Sequence, residues 1–257
     1  MTISTDSLAH DGVQFDALMR QMPLDLGPVS APGLDDFLEG DNAQALNWLR
    51  QWPLPGYNQS PAYIWGRSGV GKTHLLRALI EKAVALQFGV IWLNAQTCQI
   101  WDAPDPQGPT LALIDDCDQL DPHYQHLAFN LFIESATAGV SAVGGEGGVP
   151  MLGIIAAGRL PPVDLPVRDD LRTRLGWGLT FALQPLDEGG VREALQRESA
   201  RRGMALGEGV LSYLLTRYSR DLGFLMALLD RLDRFALAEH RIVTVPLLKQ
   251  MLALETP

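Results

Sequence analysis

Between residues 41 and 185, short apolar runs alternate with segments of helical period. DNAQALNWLRQW (41–52) places Ala43, Leu46, Leu49 and Arg50 at helical spacings, and Pro53 ends the segment. AYIWG (62–66) predicts a buried strand and KTHLLRALIEKAVALQ (72–87) a helix. GVIWLNA (89–95) and TLALIDD (110–116) predict two further strands, and PHYQHLAFNLFIESATA (122–138) another helix. PMLGIIAAG (150–158) and GLTFALQP (178–185) complete five strands, with the Gly-rich GVSAVGGEGGVP (139–150) expected to be a flexible loop. Continuous apolar strands alternating with helices predict a parallel sheet covered on both faces.

After Pro185 the strand pattern stops. LDEGGVREALQRESARRG, GEGVLSYLLTRYS, RDLGFLMALLDRLDRFALAEH and TVPLLKQMLALE predict four helices; in the third, Leu222, Leu225, Leu229, Leu232 and Phe235 share one face. Residues 1–33 are punctuated by Pro and Gly and lack sustained periodicity, as expected of a mobile leader. The expected organisation is a leader (1–33), an α/β domain (34–185) and a small all-helical domain (186–257). No internal repeat or heptad run is visible.

Charge narrows the partners. Thirty acidic residues against 20 basic give a net charge of −10, which argues against a dedicated DNA-binding domain while allowing a local basic patch. The first residues carry no basic head or apolar stretch of a secretory signal, and no apolar run reaches membrane-span length, so a cytoplasmic protein is expected. Two cysteines, Cys98 and Cys117, exclude a disulfide scaffold and read as packing residues. His74, His123 and His126 form no convincing zinc spacing with Cys or carboxylates.

The chemistry is concentrated in GRSGVGKT. Gly66, Arg67, Ser68, Gly69, Val70, Gly71, Lys72 and Thr73 spell G-x-x-x-x-G-K-T between a predicted strand and a predicted helix. Glycines let the backbone curl so that its N–H groups converge on phosphate oxygens, and the helix adds its positive end. Lys72 would reach the β- and γ-phosphates and Thr73 would hold Mg²⁺. The competing bland reading, a Gly-rich turn with a surface lysine, does not explain the flanking strand and helix. LALIDD ends an apolar strand in two carboxylates: Asp115 is expected to coordinate Mg²⁺, directly or through water, and Asp116 to orient or deprotonate an attacking water. An acid pair capping a turn is the alternative.

GRSGVGKTHLLRAL, LALIDD, LRTRLGWGLTFALQPL and the helical tail together resemble the AAA+ domain of the bacterial initiator DnaA over roughly residues 34–254. That resemblance implies a AAA+ P-loop core with a five-stranded parallel sheet and a helical lid. In DnaA the pattern continues into a DNA-reading helix-turn-helix domain; here the sequence stops at Pro257, and the chain is more similar to the Hda-type regulatory inactivators of DnaA. Those proteins carry a Gln-x-x-Leu-x-Leu peptide that docks on the replication sliding clamp, which Gln21, Leu24 and Leu26 match. Pro23 would keep such a peptide extended for an apolar pocket.

The resemblance further implies that Arg174 is an arginine finger acting on a neighbouring subunit's nucleotide, with Arg172 and Arg168 as alternatives. The neighbour would be ATP-bound DnaA; a homo-oligomer is also compatible. Phe37 and Gly40, in LDDFLEGDN, match the adenine pocket. Two positions depart from the family. The fourth-strand sensor falls on Ala157 and Gly158 rather than a polar residue, and the lid sensor arginine aligns with Gly223, with Arg220 one turn earlier. The expectation is binding of ADP or ATP with Mg²⁺ and weak hydrolysis. An autonomous AAA+ ATPase or helicase loader acting on nucleic acid is the alternative.

Overall fold

A period-two burial pattern runs through the sheet. Ala62 and Ile64, Leu111 and Leu113, and Ile155 and Ala157 enter one apolar core, while Tyr63, Ala112, Ile114, Ile154 and Ala156 enter the other. This is the signature of a sheet buried on both faces. The computed structural model describes residues 33–53, 60–101, 108–141, 152–218 and 221–254. All lie in one compact unit, Ala31–Pro257. Gln21, Leu24 and Leu26, with the rest of the leader before Gly33, lie outside the described residues; so do Arg220 and residues 142–150.

The strands are β1 (Ala62–Trp65), β2 (Gly89–Leu93), β3 (Cys98–Trp101), β4 (Thr110–Ile114), β5 (Leu152–Gly158) and β6 (Leu179–Ala182). Their order is β3-β2-β4-β5-β1-β6. Five are parallel, as expected from the sequence, and lie in the order β2-β4-β5-β1-β6. The sixth is a correction: β3 pairs antiparallel with β2, Val90 opposite Trp101 and Leu93 opposite Cys98. Its four residues make an edge strand with one neighbour, too short to give a periodic signal.

Helix α1 (Ala43–Gln51) and α2 (Lys72–Ala85) contribute to the first core, and α3 (Pro122–Ser141) and the short α4 (Asp169–Leu175) to the second. Helix α3 continues through Ser141, so the loop expected from residue 139 begins later. Buried Asn42 pins the start of α1 to the chain leaving β6: its Nδ2 donates to the Gln184 carbonyl (3.0 Å) and its Oδ1 accepts from Gln184 N–H (2.7 Å). That bond pair holds the Leu34–Phe37 segment beside the sheet's C-terminal edge.

Four helices follow: α5 (Glu188–Arg201), α6 (Glu208–Arg217), α7 (Leu222–Ala238) and α8 (Val245–Leu254). They share a separate core that includes Leu195, Leu211, Leu214, Leu225, Leu229 and Leu248. Asp187 and Asp221 cap α5 and α7, accepting from Gly190 N–H (2.7 Å) and Phe224 N–H (3.0 Å). Among the described residues no helix is long and apolar enough to cross a membrane.

Cys117 is fully buried and Cys98 exposed. Burial pushes the Cys117 thiol up to about 12 from its ordinary 9.0, against the weaker opposing bond to Tyr63. The unfolded thiol therefore loses its proton first. The stability this group contributes is complete below pH 9 and declines as pH rises toward 12. Denaturant titrations above pH 9 should show this decline in wild type and a flatter one in Cys117→Ala. A thiol reagent near neutrality should label Cys98 in the native protein and reach Cys117 only after unfolding.

Candidate functional site

A glycine-rich loop joins β1 to α2. Gly69 and Gly71 stand at φ +77° and +96°, left-handed values that L side chains rarely adopt. Both are also closely covered. A Cβ on Gly71 would sit 2.5 Å from Phe37 Cε2; one on Gly69 would collide with the Asp221 carboxylate and lie 3.0 Å from Gly223 N. Gly71 is the N-cap of α2, so the helix's free N–H groups lie at the end of this loop.

Lys72 is buried, and its Nζ donates to the carbonyls of Gly66 (2.9 Å) and Arg67 (3.1 Å). Burial pushes this ammonium below its ordinary range, opposed by Asp116, Asp115 and Asp118. The Thr73 hydroxyl donates to Asp115 Oδ2 (2.7 Å), tying α2 to the end of β4. Burial holds the Asp115 carboxyl above the usual range, against the Thr73 bond. Each group is thus held in an environment that disfavours its own charge. A phosphate at Lys72 and a divalent cation at Asp115 and Thr73 would relieve both penalties, so the residues fit a magnesium-nucleotide. Asp116, at φ +44°, opens a 3₁₀ turn, and its N–H donates to Asp115 Oδ1 (3.0 Å).

Phe37 is brought to this site as well. It lies against Gly71 and meets the His74 ring edge-on at 5.6 Å. Gly40 instead approaches Leu186, so the described contacts place it at the lid junction.

The two glycines that align with expected sensor positions stand in crowded places. A Cβ at Gly158 would collide with the Tyr63 hydroxyl and lie 2.9 Å from Cys117 Sγ. Tyr63 is fully buried, and its hydroxyl donates to the Leu160 carbonyl (2.7 Å), so it cannot yield readily. Gly223 lies in the first turn of α7, and a Cβ there would sit 3.2 Å from Gly69 Cα. The phosphate-loop backbone at Gly69 and the Asp221 carboxylate crowd the start of any side chain placed there.

Two charged residues not singled out from the sequence complete the cluster. Asp118, with a side chain 1% exposed, pairs with Arg159 (Nε to Oδ2, 2.5 Å) and accepts from its backbone N–H (3.1 Å). Arg159 is the first residue after β5, and Asp118 lies two beyond Asp116. Three acidic residues within four positions were the available signal.

The α4 arginines are engaged differently from one another. Arg168 pairs with Asp170 (2.6 Å), and Arg172 with Asp169 (2.6 Å) and the Val167 carbonyl (3.0 Å). Arg174 instead lies over the Trp177 ring, its guanidinium carbon 4.1 Å from the centroid, with the Phe129 ring at 6.0 Å.

A glycine-rich loop, a strand-end carboxylate bonded to the loop threonine, and a helical lid resting on the loop have the architecture of a AAA+ domain. Residues 187–252 match the family described as Hda, lid domain. An uncharacterized protein of Haemophilus influenzae is 28% identical over 240 residues, covering 91% of this chain and 99% of that protein. Domain III of the Thermotoga maritima replication initiation protein DnaA superposes with a TM-score of 0.64 at 18% identity, covering 86% of this chain and 95% of that one. AMPPCP-bound DnaA from Aquifex aeolicus gives 0.56 at 21% identity, covering 80% of this chain and 66% of that one. The fold is thus that of the AAA+ domain of DnaA, and the helical domain matches the Hda lid.

Lys72→Ala should weaken nucleotide binding by roughly 10- to 100-fold, the worth of a charge-assisted phosphate contact, measured by titration calorimetry. Gly158→Asn should not raise hydrolysis. It should lower stability by about 1–3 kcal/mol through overpacking, read as a fall in Tm of several degrees.

Proposed function

We propose that this chain binds an adenine nucleotide, docks on the replication sliding clamp through its leader, and promotes hydrolysis of ATP held by DnaA, restraining initiation. The match of residues 187–252 to the Hda lid carries this reading. Lys72 and the loop N–H groups would hold the phosphates, Thr73 and Asp115 the magnesium, and Phe37 the base side of the site. Magnesium held by Thr73 and Asp115 would supply positive charge to offset that of the phosphates. Asp116 would sit beside the terminal phosphate. Hydrolysis by this site would be weak, because Gly158 and Gly223 offer no polar side chain to that phosphate. ADP and ATP both suit such a site.

The chemistry then passes to the partner's nucleotide. Arg174 would stabilise charge developing on the phosphoryl oxygens of DnaA-bound ATP. Its freedom from carboxylates among the described residues supports it over Arg168 and Arg172, both neutralised within the chain. The acidic balance and closed sensor positions favour this reading over an autonomous motor acting on nucleic acid.

The decisive assay mixes the full chain with DNA-loaded clamp, ATP-bound DnaA and either ADP or ATP, and follows hydrolysis of the DnaA-bound ATP. Arg174→Ala should lower stimulation by roughly 10³-fold or more while leaving clamp and nucleotide binding unchanged. Gln21→Ala combined with Leu24→Ala should abolish clamp binding and spare Tm; unchanged clamp affinity would refute the role given to the leader.

A further inference from the structure

We infer that Trp177 is a positioning residue that holds Arg174 ready for its partner; this rests on Arg174 acting in trans as proposed above. Arg174 stands in the last turn of α4, and Trp177 N–H donates to the Arg174 carbonyl (3.2 Å), closing a tight turn. The i, i+3 spacing puts both side chains on the same side of that turn. The turn is fixed from behind: Gly176 approaches the Pro162 ring, and Leu179 N–H donates to the Pro61 carbonyl (2.9 Å).

The manner of restraint matters more than its strength. An ion pair occupies guanidinium N–H groups, as Asp169 and Asp170 do for Arg172 and Arg168. A ring against the guanidinium face fixes the plane while leaving the N–H edge open. Arg174 is therefore oriented without being neutralised, the state required of a group that must meet a phosphoryl oxygen.

Trp177 is itself 67% exposed, a heavy exposure for so large an apolar surface. Val163 (77% exposed) and Leu160 stand on the adjoining segment around Pro162.

The test follows hydrolysis of DnaA-bound ATP as a function of the concentration of this chain, with clamp and DNA present. Trp177→Ala should lower the maximal rate about tenfold, the worth of one cation–π contact, without moving the half-saturating concentration. Trp177→Phe should recover most of the rate. Adding Trp177→Ala to Arg174→Ala should cause no further loss. In the free protein, the Arg174 Nε–H resonance, identified by its disappearance in Arg174→Ala, should lie upfield and return to the ordinary position in Trp177→Ala. A raised half-saturating concentration with an unchanged maximal rate would make Trp177 a docking residue and overturn the inference. So would an unmoved resonance or a further loss in the double variant. Full stimulation by Arg174→Ala would remove the underlying reading too. Loss with Arg174→Ala but not with Trp177→Ala would remove this inference alone.

Discussion

The structure depends on one constraint of topology: β1 runs between β5 and β6, so the chain leaving β1 emerges beside the chain leaving β5. Open parallel sheets bind ligands at such edges, where successive loops diverge. Here the edge gathers the phosphate loop after β1, the carboxylates after β4 and Arg159 after β5. The bond from Thr73 to Asp115 spans this edge across an intervening strand. It sets how far α2 stands from the sheet. The same arrangement buries Lys72 and Asp115 near one another, which gives each a desolvation penalty that a phosphate and a cation can offset.

That constraint also determines what the site lacks. Because β1 adjoins β5, Tyr63 lies beside the end of β5, where its hydroxyl fills the space next to Gly158. Because the lid rests on the loop, the backbone of α7 meets Gly69 at Gly223. Both closures come from packing, so substituting a polar residue at either position would disturb the scaffold before it could add chemistry. The cradle for phosphate and the absence of room for sensing groups are two results of the same close approach. Under the proposed function, binding and turnover would thereby be separated in one site.

How much of this was legible varied with the length over which each signal is written. The phosphate loop, the apolar strands and the amphipathic face of α7 extend over many residues and were readable. So was the absence of polar groups at Gly158 and Gly223, because it needs only alignment to a pattern. The edge strand β3 was not readable: four residues with a single neighbour carry little periodic information. Asp118 was not singled out because its importance comes from Arg159, 41 positions away. Arg174 was preferred to Arg168 and Arg172 through the family resemblance alone; that Arg168 and Arg172 are ion-paired while Arg174 lies over Trp177 was not legible, because it depends on the placement of Asp169, Asp170 and Trp177 in space.

The proposed leader adds a constraint of reach. Gly33 lies seven positions after Leu26, and a fully extended chain covers at most about 3.5 Å per residue, so the tether can reach at most about 25 Å. A peptide docked on the clamp would therefore keep the phosphate-loop domain within about one domain diameter of the clamp surface. Within that radius a second, weak contact becomes effectively intramolecular, at an effective concentration on the order of millimolar for a short flexible linker. The surface around Arg174 then has no need of high affinity for its partner. An acidic chain with one oriented, un-neutralised arginine at the end of α4 would engage a partner's nucleotide weakly in free solution and productively beside a loaded clamp. On this reading the short tether, rather than the strength of the Arg174 contact, makes the activity conditional on replication having begun.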